Sequence, residues 1–382
     1  MNLESNISSA ANSGCYSRWS EKDGNKYSIG NIESGNVYVA GRGFNESKTD
    51  SGVRSVLLNV IKAVSFALIA YILCDHVLNI AAALVVKYVF NIDLTIIPVN
   101  GLVVLQDSAS YLFMVTMTMI KYAVVFFIFR MTFHMPTSLA HFRAPTVKNK
   151  NDIIHSFGML FITASVLAFI YSAAKIFMAV DYVGSNLMNN ATVFSEDSGI
   201  RWLLLVTWLV LISCLVEVIV HSSAFAALRQ FGDWFAVIYM SIISAMILQN
   251  FALTPVAFLT TFITGITVVK TESMYAGTIQ RIIINVLISV PYAMKVILPP
   301  DMWQKCGFLF GFAVFATGFI ILGASGFFKK GVAKKYFTLE KKNLFSGGEY
   351  VSVYFESLLS IIVFALCVIL FIVGSLVSFN AR

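Results

Sequence analysis

Apolar runs of about 18 residues or more recur along this chain, and a run of that length suits the hydrocarbon of a bilayer. Inside a bilayer every backbone polar group must be satisfied by the chain itself, so only helices and closed barrels span it. Barrel strands alternate polar and apolar residues, whereas the runs here are continuous. The expected fold class is therefore all-α: a polytopic integral membrane helix bundle. Composition agrees, with 58% hydrophobic and 12% charged residues, against about half and about a quarter in soluble chains. That balance excludes an ordinary cytosolic enzyme, a nucleic-acid-binding domain and a disordered scaffold.

The apolar pattern predicts helices over about 55–80, 109–133, 153–178, 201–223, 235–252, 255–270, 278–296, 305–328 and 354–378, a count of eight or nine spans. The first run continues weakly to Phe90 and suggests a re-entrant or interfacial piece. Residues 1–54 are rich in Ser, Asn and Gly, lack helical periodicity and contain no apolar signal segment. They read as a disordered cytoplasmic tail, with residues 55–382 forming the transmembrane domain. The five cysteines are scattered and suggest neither a disulfide framework nor a zinc site.

Loop charge sets the expected orientation. The net charge of +7 fits the excess of lysine and arginine in cytoplasmic loops. Loop 134–152 carries Arg143, Lys148 and Lys150, and loop 329–353 carries Lys329, Lys330, Lys334, Lys335, Lys341 and Lys342. Loop 179–200 carries Asp181, Glu196 and Asp197 with no lysine or arginine. Nine alternating spans and a cytoplasmic N-terminus put all three loops on their expected sides of the plasma membrane.

Ionisable groups within spans are costly and mark sites or internal pairs. Here they are Lys121, Lys175, Glu217, His221, Arg281, Lys295 and Glu356. Lys295 and Glu356 lie near span ends, where a side chain can snorkel. Lys121 and Lys175 lie deeper, and an internal ion pair suits them as well as a site. Glu217 and His221 stand four apart on one helix face, as do Arg281 and Asn285. No H-E-x-x-H occurs, which excludes that type of zinc protease. Gly323-Ala324-Ser325-Gly326 matches the Gly-x-Ser-Gly of rhomboid serine proteases, but no histidine follows His221 to serve as base on a later helix. Packing explains that stretch better: Gly307, Gly311, Gly318 and Gly323 allow a neighbouring helix to approach closely.

Leu215-Val216-Glu217-Val218-Ile219-Val220-His221-Ser222 is followed by Ala227-Leu228-Arg229-Gln230-Phe231-Gly232, by the apolar helix Trp234 to Asn250, and by Thr271-Glu272-Ser273-Met274-Tyr275. Over about 145–295 this order resembles the CPBP family of CAAX-type intramembrane glutamic endopeptidases and abortive-infection-like membrane proteins. In the family's first motif, E-E-x-x-x-R, Val216 stands for the first glutamate, Glu217 keeps the second, His221 stands for the arginine, and Ser222 replaces the glycine that follows. In the second, F-x-x-x-H, Ala245 stands for the phenylalanine and Gln249 for the histidine. In the third, H-x-x-x-N, Arg281 stands for the histidine and Asn285 is kept. The resemblance implies that the first glutamate and the second-motif histidine activate a water for peptide hydrolysis, and this chain has neither.

The candidate site is thus Glu217, His221, Gln249, Arg281 and Asn285, a degenerate catalytic set with Glu217 and Arg281 expected to pair across the cavity. No metal or cofactor is expected. The expected function is partner binding or regulation in the membrane by a chain that has lost proteolysis. Its partners would be the bilayer and another membrane protein or membrane-associated peptide, not nucleic acid. An active endopeptidase using Glu217 as base is the first alternative. A transporter using Lys121, Lys175, Glu217 and Arg281 is the second, although hydropathy shows no internal repeat.

Overall fold

The computed structural model describes Trp19 and residues 25–32, 36–38, 45–91, 97–99, 102–104, 108–133, 150–178, 210–211, 214–215, 224–248, 253–339 and 341–380. Helices dominate these residues. Helix α1 (Lys48–Leu73) passes through a π-helical turn (Cys74–Leu78) into α2 (Asn79–Phe90). There follow α3 (Ser108–Phe133), α4 (Lys150–Met178), the single turn α5 (Ala226–Arg229) and α6 (Asp233–Leu248). The last six are α7 (Leu253–Thr271), α8 (Met274–Ile297), α9 (Pro300–Ala324), α10 (Val332–Phe337), α11 (Gly347–Phe355) and α12 (Leu358–Asn380). Two short antiparallel hairpins accompany them, β1–β2 (Asn36–Tyr38, Asn45–Ser47) and β3–β4 (Ile97–Val99, Leu102–Val104).

Four helical stretches among the described residues are long and apolar enough to cross a membrane: Ser51–Phe90, Val115–Phe133, Thr254–Thr271 and Lys305–Ala324. A fifth is the pair α11 and α12, which meet at 93°. The described residues are thus helical with four or five candidate spans, against the eight or nine expected of the whole chain. Length explains part of the difference. The α6 helix has 16 residues, while crossing takes about 20. The expected run 201–223 lies almost wholly outside the described residues. The first apolar run, by contrast, is longer than expected: one 40-residue stretch that continues to Phe90 as helix, with its π turn inside the expected span 55–80.

The helix termini follow local chemistry. The Ser273 hydroxyl caps α8 by accepting from the Ala276 amide at 3.4 Å, the usual role of an N-cap serine. Pro299-Pro300 opens α9, where a missing amide proton costs nothing. Ser346 and Glu349 cap α11 reciprocally, Ser346 N donating to the carboxylate at 2.7 Å. Those hydrogen bonds hold the exposed Glu349 carboxyl below the usual carboxylate range.

Among the described elements the α4–α9 pairing is the most extensive, and glycines make it possible. A Cβ on Gly318 would stand 2.7 Å from the Gly158 carbonyl oxygen, and one on Gly158 would stand 2.7 Å from Leu322 Cγ. The close approach expected of the α9 glycines thus occurs at Gly318 but not at Gly323, which meets nothing within 4 Å. Gly318→Ala should therefore cost roughly 1–3 kcal/mol, as overpacked interiors do. Gly323→Ala should leave thermal unfolding in detergent unchanged.

Helix ends that strict alternation would assign to one side meet at one end of the bundle. Arg54 near the start of α1 pairs with Glu356 before α12. Lys270 near the end of α7 lies 3.6 Å from Asp152 at the start of α4. His155 Nε2 lies 3.4 Å from the Ser325 carbonyl just after α9. At the same end the 341–350 segment is clamped onto residues 229–235. Asp233 accepts from Arg229 Nε at 2.9 Å and from the Lys341 amide at 3.1 Å. Leu344 N donates to the Phe231 carbonyl at 2.9 Å, and the Tyr350 ring stacks on Phe235 at 3.9 Å. Gly232 (φ 142°) permits this approach, since a Cβ there would stand 2.3 Å from Asn343 Oδ1. Burial, with Arg229 close by, holds the Lys341 amine below the usual lysine range.

The described parts of the N-terminal 54 residues also pack here, a difference from the disordered tail expected. Trp19 Nε1 donates to the Phe133 carbonyl at 2.6 Å. Gln230 accepts from Ile29 N at 3.1 Å and donates to the Tyr27 carbonyl at 2.7 Å. Trp19, Ser28 and Ile29 are buried.

Candidate functional site

A polar interior lies between α4, α7 and α8. Buried Thr260, Thr261, Thr264, Thr267 and Thr271 line the inner face of α7. Three of these hydroxyls donate to carbonyls four residues back: Thr264 to Thr260 at 2.8 Å, Thr267 to Ile263 at 3.0 Å and Thr271 to Thr267 at 2.7 Å. A hydroxyl spent this way still offers its oxygen as an acceptor. The Arg281 guanidinium uses that, approaching Thr261 Oγ1 and Thr264 Oγ1 at 3.4 Å. Arg281 is buried, and Asn285 follows one turn later on the same helix, half-buried.

Toward the end where α4 begins, Gln280 Nε2 donates to Ser156 Oγ at 2.6 Å. Ser156 in turn donates to the carbonyls of Asp152 and Ile153 at 3.0 and 2.8 Å. The Tyr336 hydroxyl from α10 lies beside Thr267 and Ser156. Lys270 closes this end, donating to the Lys335 carbonyl at 2.8 Å with its ammonium 5.2 Å from the centre of the Tyr336 ring. Gln280 Oε1, the Tyr336 hydroxyl, His155 Nδ1 and Thr260 Oγ1 are buried without a hydrogen-bond partner among the described residues. Buried polar atoms are nearly always satisfied, and ordered water is their usual partner where no protein group serves.

A second cluster lies in the apolar stretch of α1–α3. Lys121 Nζ donates to Asp75 Oδ1 at 2.6 Å, with the two side chains 13% and 18% exposed. The ammonium stands 4.5 Å from the centre of the Tyr71 ring, a cation–π contact. The Tyr71 and Tyr122 rings meet edge-on at 5.7 Å. Asp75 sits in the π turn, with His76 beside it. Single π turns inside α-helices are frequent at functional sites.

Of the expected site residues, the structure therefore places Arg281 and Asn285 on the α8 face that meets the α7 threonines. Val216, Glu217, His221 and Gln249 lie outside the described residues, as do the side chains of Lys175 and Lys295. Lys121 has the internal partner that its depth suggested, and Glu356 pairs with Arg54 at the bundle end.

Sequence reasoning missed Asp75, His76, His155, Gln280 and Tyr336. The rule that singled out Lys121, an ionisable group within an apolar run, applies equally to Asp75 and His76. It was also blind to His155 arriving beside Ser325 from an earlier helix. That meeting makes no serine–histidine pair, because the ring faces the backbone carbonyl while Ser325 Oγ donates to the Leu322 carbonyl at 3.0 Å. No three His, Cys, Asp or Glu side chains among the described residues gather into a metal site. No family model, no curated protein and no solved structure matches the chain.

Proposed function

We propose that the chain is a multi-pass plasma-membrane protein with a cytoplasmic N-terminus. It uses a scaffold like that of the CAAX-type intramembrane endopeptidases to bind another membrane protein or membrane-associated peptide without hydrolysing it. The observation that carries this reading is Val216 and Gln249 at the two positions where the family keeps its water-activating glutamate and histidine. A valine has no proton to exchange, and a glutamine amide is no base near neutral pH. The interior geometry agrees. The hydroxyls of Ser156 and Ser325 spend their protons on backbone carbonyls rather than on an imidazole. What remains is a set of donors and acceptors suited to holding a polar backbone or side chain.

Transport is the second reading, favoured by the embedded Asp75–Lys121 pair, since intramembrane charges commonly line substrate or ion paths. One experiment separates the two. The detergent-solubilised protein is immobilised and offered a pool of tethered membrane peptides, and proteoliposomes are assayed in parallel for solute uptake. Retention of peptides at full length, weakened by Gln280→Leu and accompanied by no uptake, is the expected result. Solute uptake abolished by Asp75→Asn, with no peptide retained, would replace binding with transport.

A further inference from the structure

The segment between α9 and α12 carries a surface whose chemistry fits one kind of partner. Lys329, Lys330, Lys334, Lys335 and Lys342 are all exposed. None of the five has an ion-pair partner among the described residues. The described carboxylates nearby are already engaged, Glu349 with the Ser346 amide and Glu356 with Arg54. Exposed lysines therefore outnumber the exposed carboxylates, Glu349 and Glu356, among the described residues of this surface.

Its position is set by the spans on either side. Exposed Phe319 on α9 leads through a ring contact at 5.1 Å to exposed Phe328, which immediately precedes Lys329 and Lys330. On the other side, exposed Phe364 on α12 meets exposed Phe355 of α11 at 5.8 Å. Both aromatic contacts carry the outward apolar face of a span up to the lysine segment. The 93° bend between α11 and α12 then turns α11 across the direction of its span. In that orientation α11 buries Tyr350 and Val353 against the bundle and leaves Val351 and Phe355, one turn apart, exposed. A short helix lying across the span axis, with apolar residues on its free face and lysines beside it, has the make-up of an interfacial helix. Phe337, also exposed, follows Lys334 and Lys335 on α10 in the same way.

We propose that this surface, formed by residues 328–337, Lys342 and the free face of α11, binds the headgroups of acidic phospholipids in the leaflet it faces. The aromatic rings sit at the boundary of the hydrocarbon and the ammonium groups reach the phosphates above it. Each lysine held near an acidic leaflet contributes about a fivefold gain in binding, so the five act together as a selective contact. The inference is independent of whether the interior binds peptide or transports solute.

The test uses the full chain in lipid nanodiscs, which leave both faces open. Discs are made of phosphatidylcholine alone or with added phosphatidylglycerol. Trypsin cleavage in the 329–342 segment is followed by the peptides released. Cleavage slowed about fivefold or more by phosphatidylglycerol, with the protection lost at high salt, is the expected result. A variant with all five lysines changed to glutamine keeps only Lys341 as a cleavage site in the segment, so it is read by native mass spectrometry. Wild type should retain phosphatidylglycerol over phosphatidylcholine, and the variant should retain both equally while unfolding at the wild-type temperature in neutral discs. Equal cleavage in the two discs, or undiminished retention by the variant, would overturn the proposal. Protection by inorganic phosphate in neutral discs would overturn it too, by showing that a free anion suffices.

Discussion

Lys121→Met should destabilise the protein by roughly 3–5 kcal/mol, because it leaves the Asp75 carboxylate in an apolar bundle with its charge unanswered. The loss is large because each group is costly where it stands. A single aspartate or lysine at the centre of a membrane helix costs about 2.5–3.5 kcal/mol on insertion scales. Together, at 2.6 Å, the two offset one another, and the Tyr71 ring adds attraction for the ammonium. Asp75→Leu should cost a similar amount, stranding the ammonium instead. The double change Asp75→Leu with Lys121→Met removes both charges, and such replacements are often neutral or stabilising. It should therefore recover most of the loss. Thermal unfolding in detergent of the wild type, both single variants and the double variant measures this directly. Losses that simply add across the cycle would show that the two groups do not interact.

The sequence rules find helices well and partnerships poorly. The predicted run 109–133 corresponds to Ser108–Phe133, and 278–296 falls inside Met274–Ile297. Both are legible because an apolar run needs only its own composition to declare itself. The close approach at Gly318 is legible for the same local reason, a row of residues without side chains.

Pairing is not local. Asp75 and Lys121 are separated by 46 residues and Gln280 and Ser156 by 124, and no periodicity reports such meetings. Trp19, Tyr27 and Ile29 sit in a stretch whose Ser, Asn and Gly content argues for disorder. They are nevertheless packed, because Gln230, some 200 residues later, and the Phe133 carbonyl satisfy their polar groups. The bend at Glu356 was invisible too, since nearly all of α11 lay in the expected loop 329–353 and the apolar run began only at 354.

The proposed loss of hydrolysis would have the largest consequence for function. General acid–base assistance is worth roughly a hundred- to ten-thousand-fold for each group, so a family scaffold without its glutamate and histidine should show only slow background cleavage. Glu217 does not simply replace residue 216, because adjacent helical positions point about 100° apart. Were Glu217 to face the Arg281 guanidinium, its proton affinity would fall and it would be a weaker base. Restoring one group alone should do little, since residues that act as a unit are not additive. Val216→Glu combined with Gln249→His is the variant expected to recover cleavage.

The decisive measurement is mass-spectrometric detection of fragments from a library of tethered membrane peptides, incubated with wild type, with Glu217→Ala and with the doubly restored variant. The expected result is no fragments from wild type or Glu217→Ala and fragments from the restored variant. Fragments from wild type that disappear in Glu217→Ala would contradict the account and establish Glu217 as the base of an active endopeptidase.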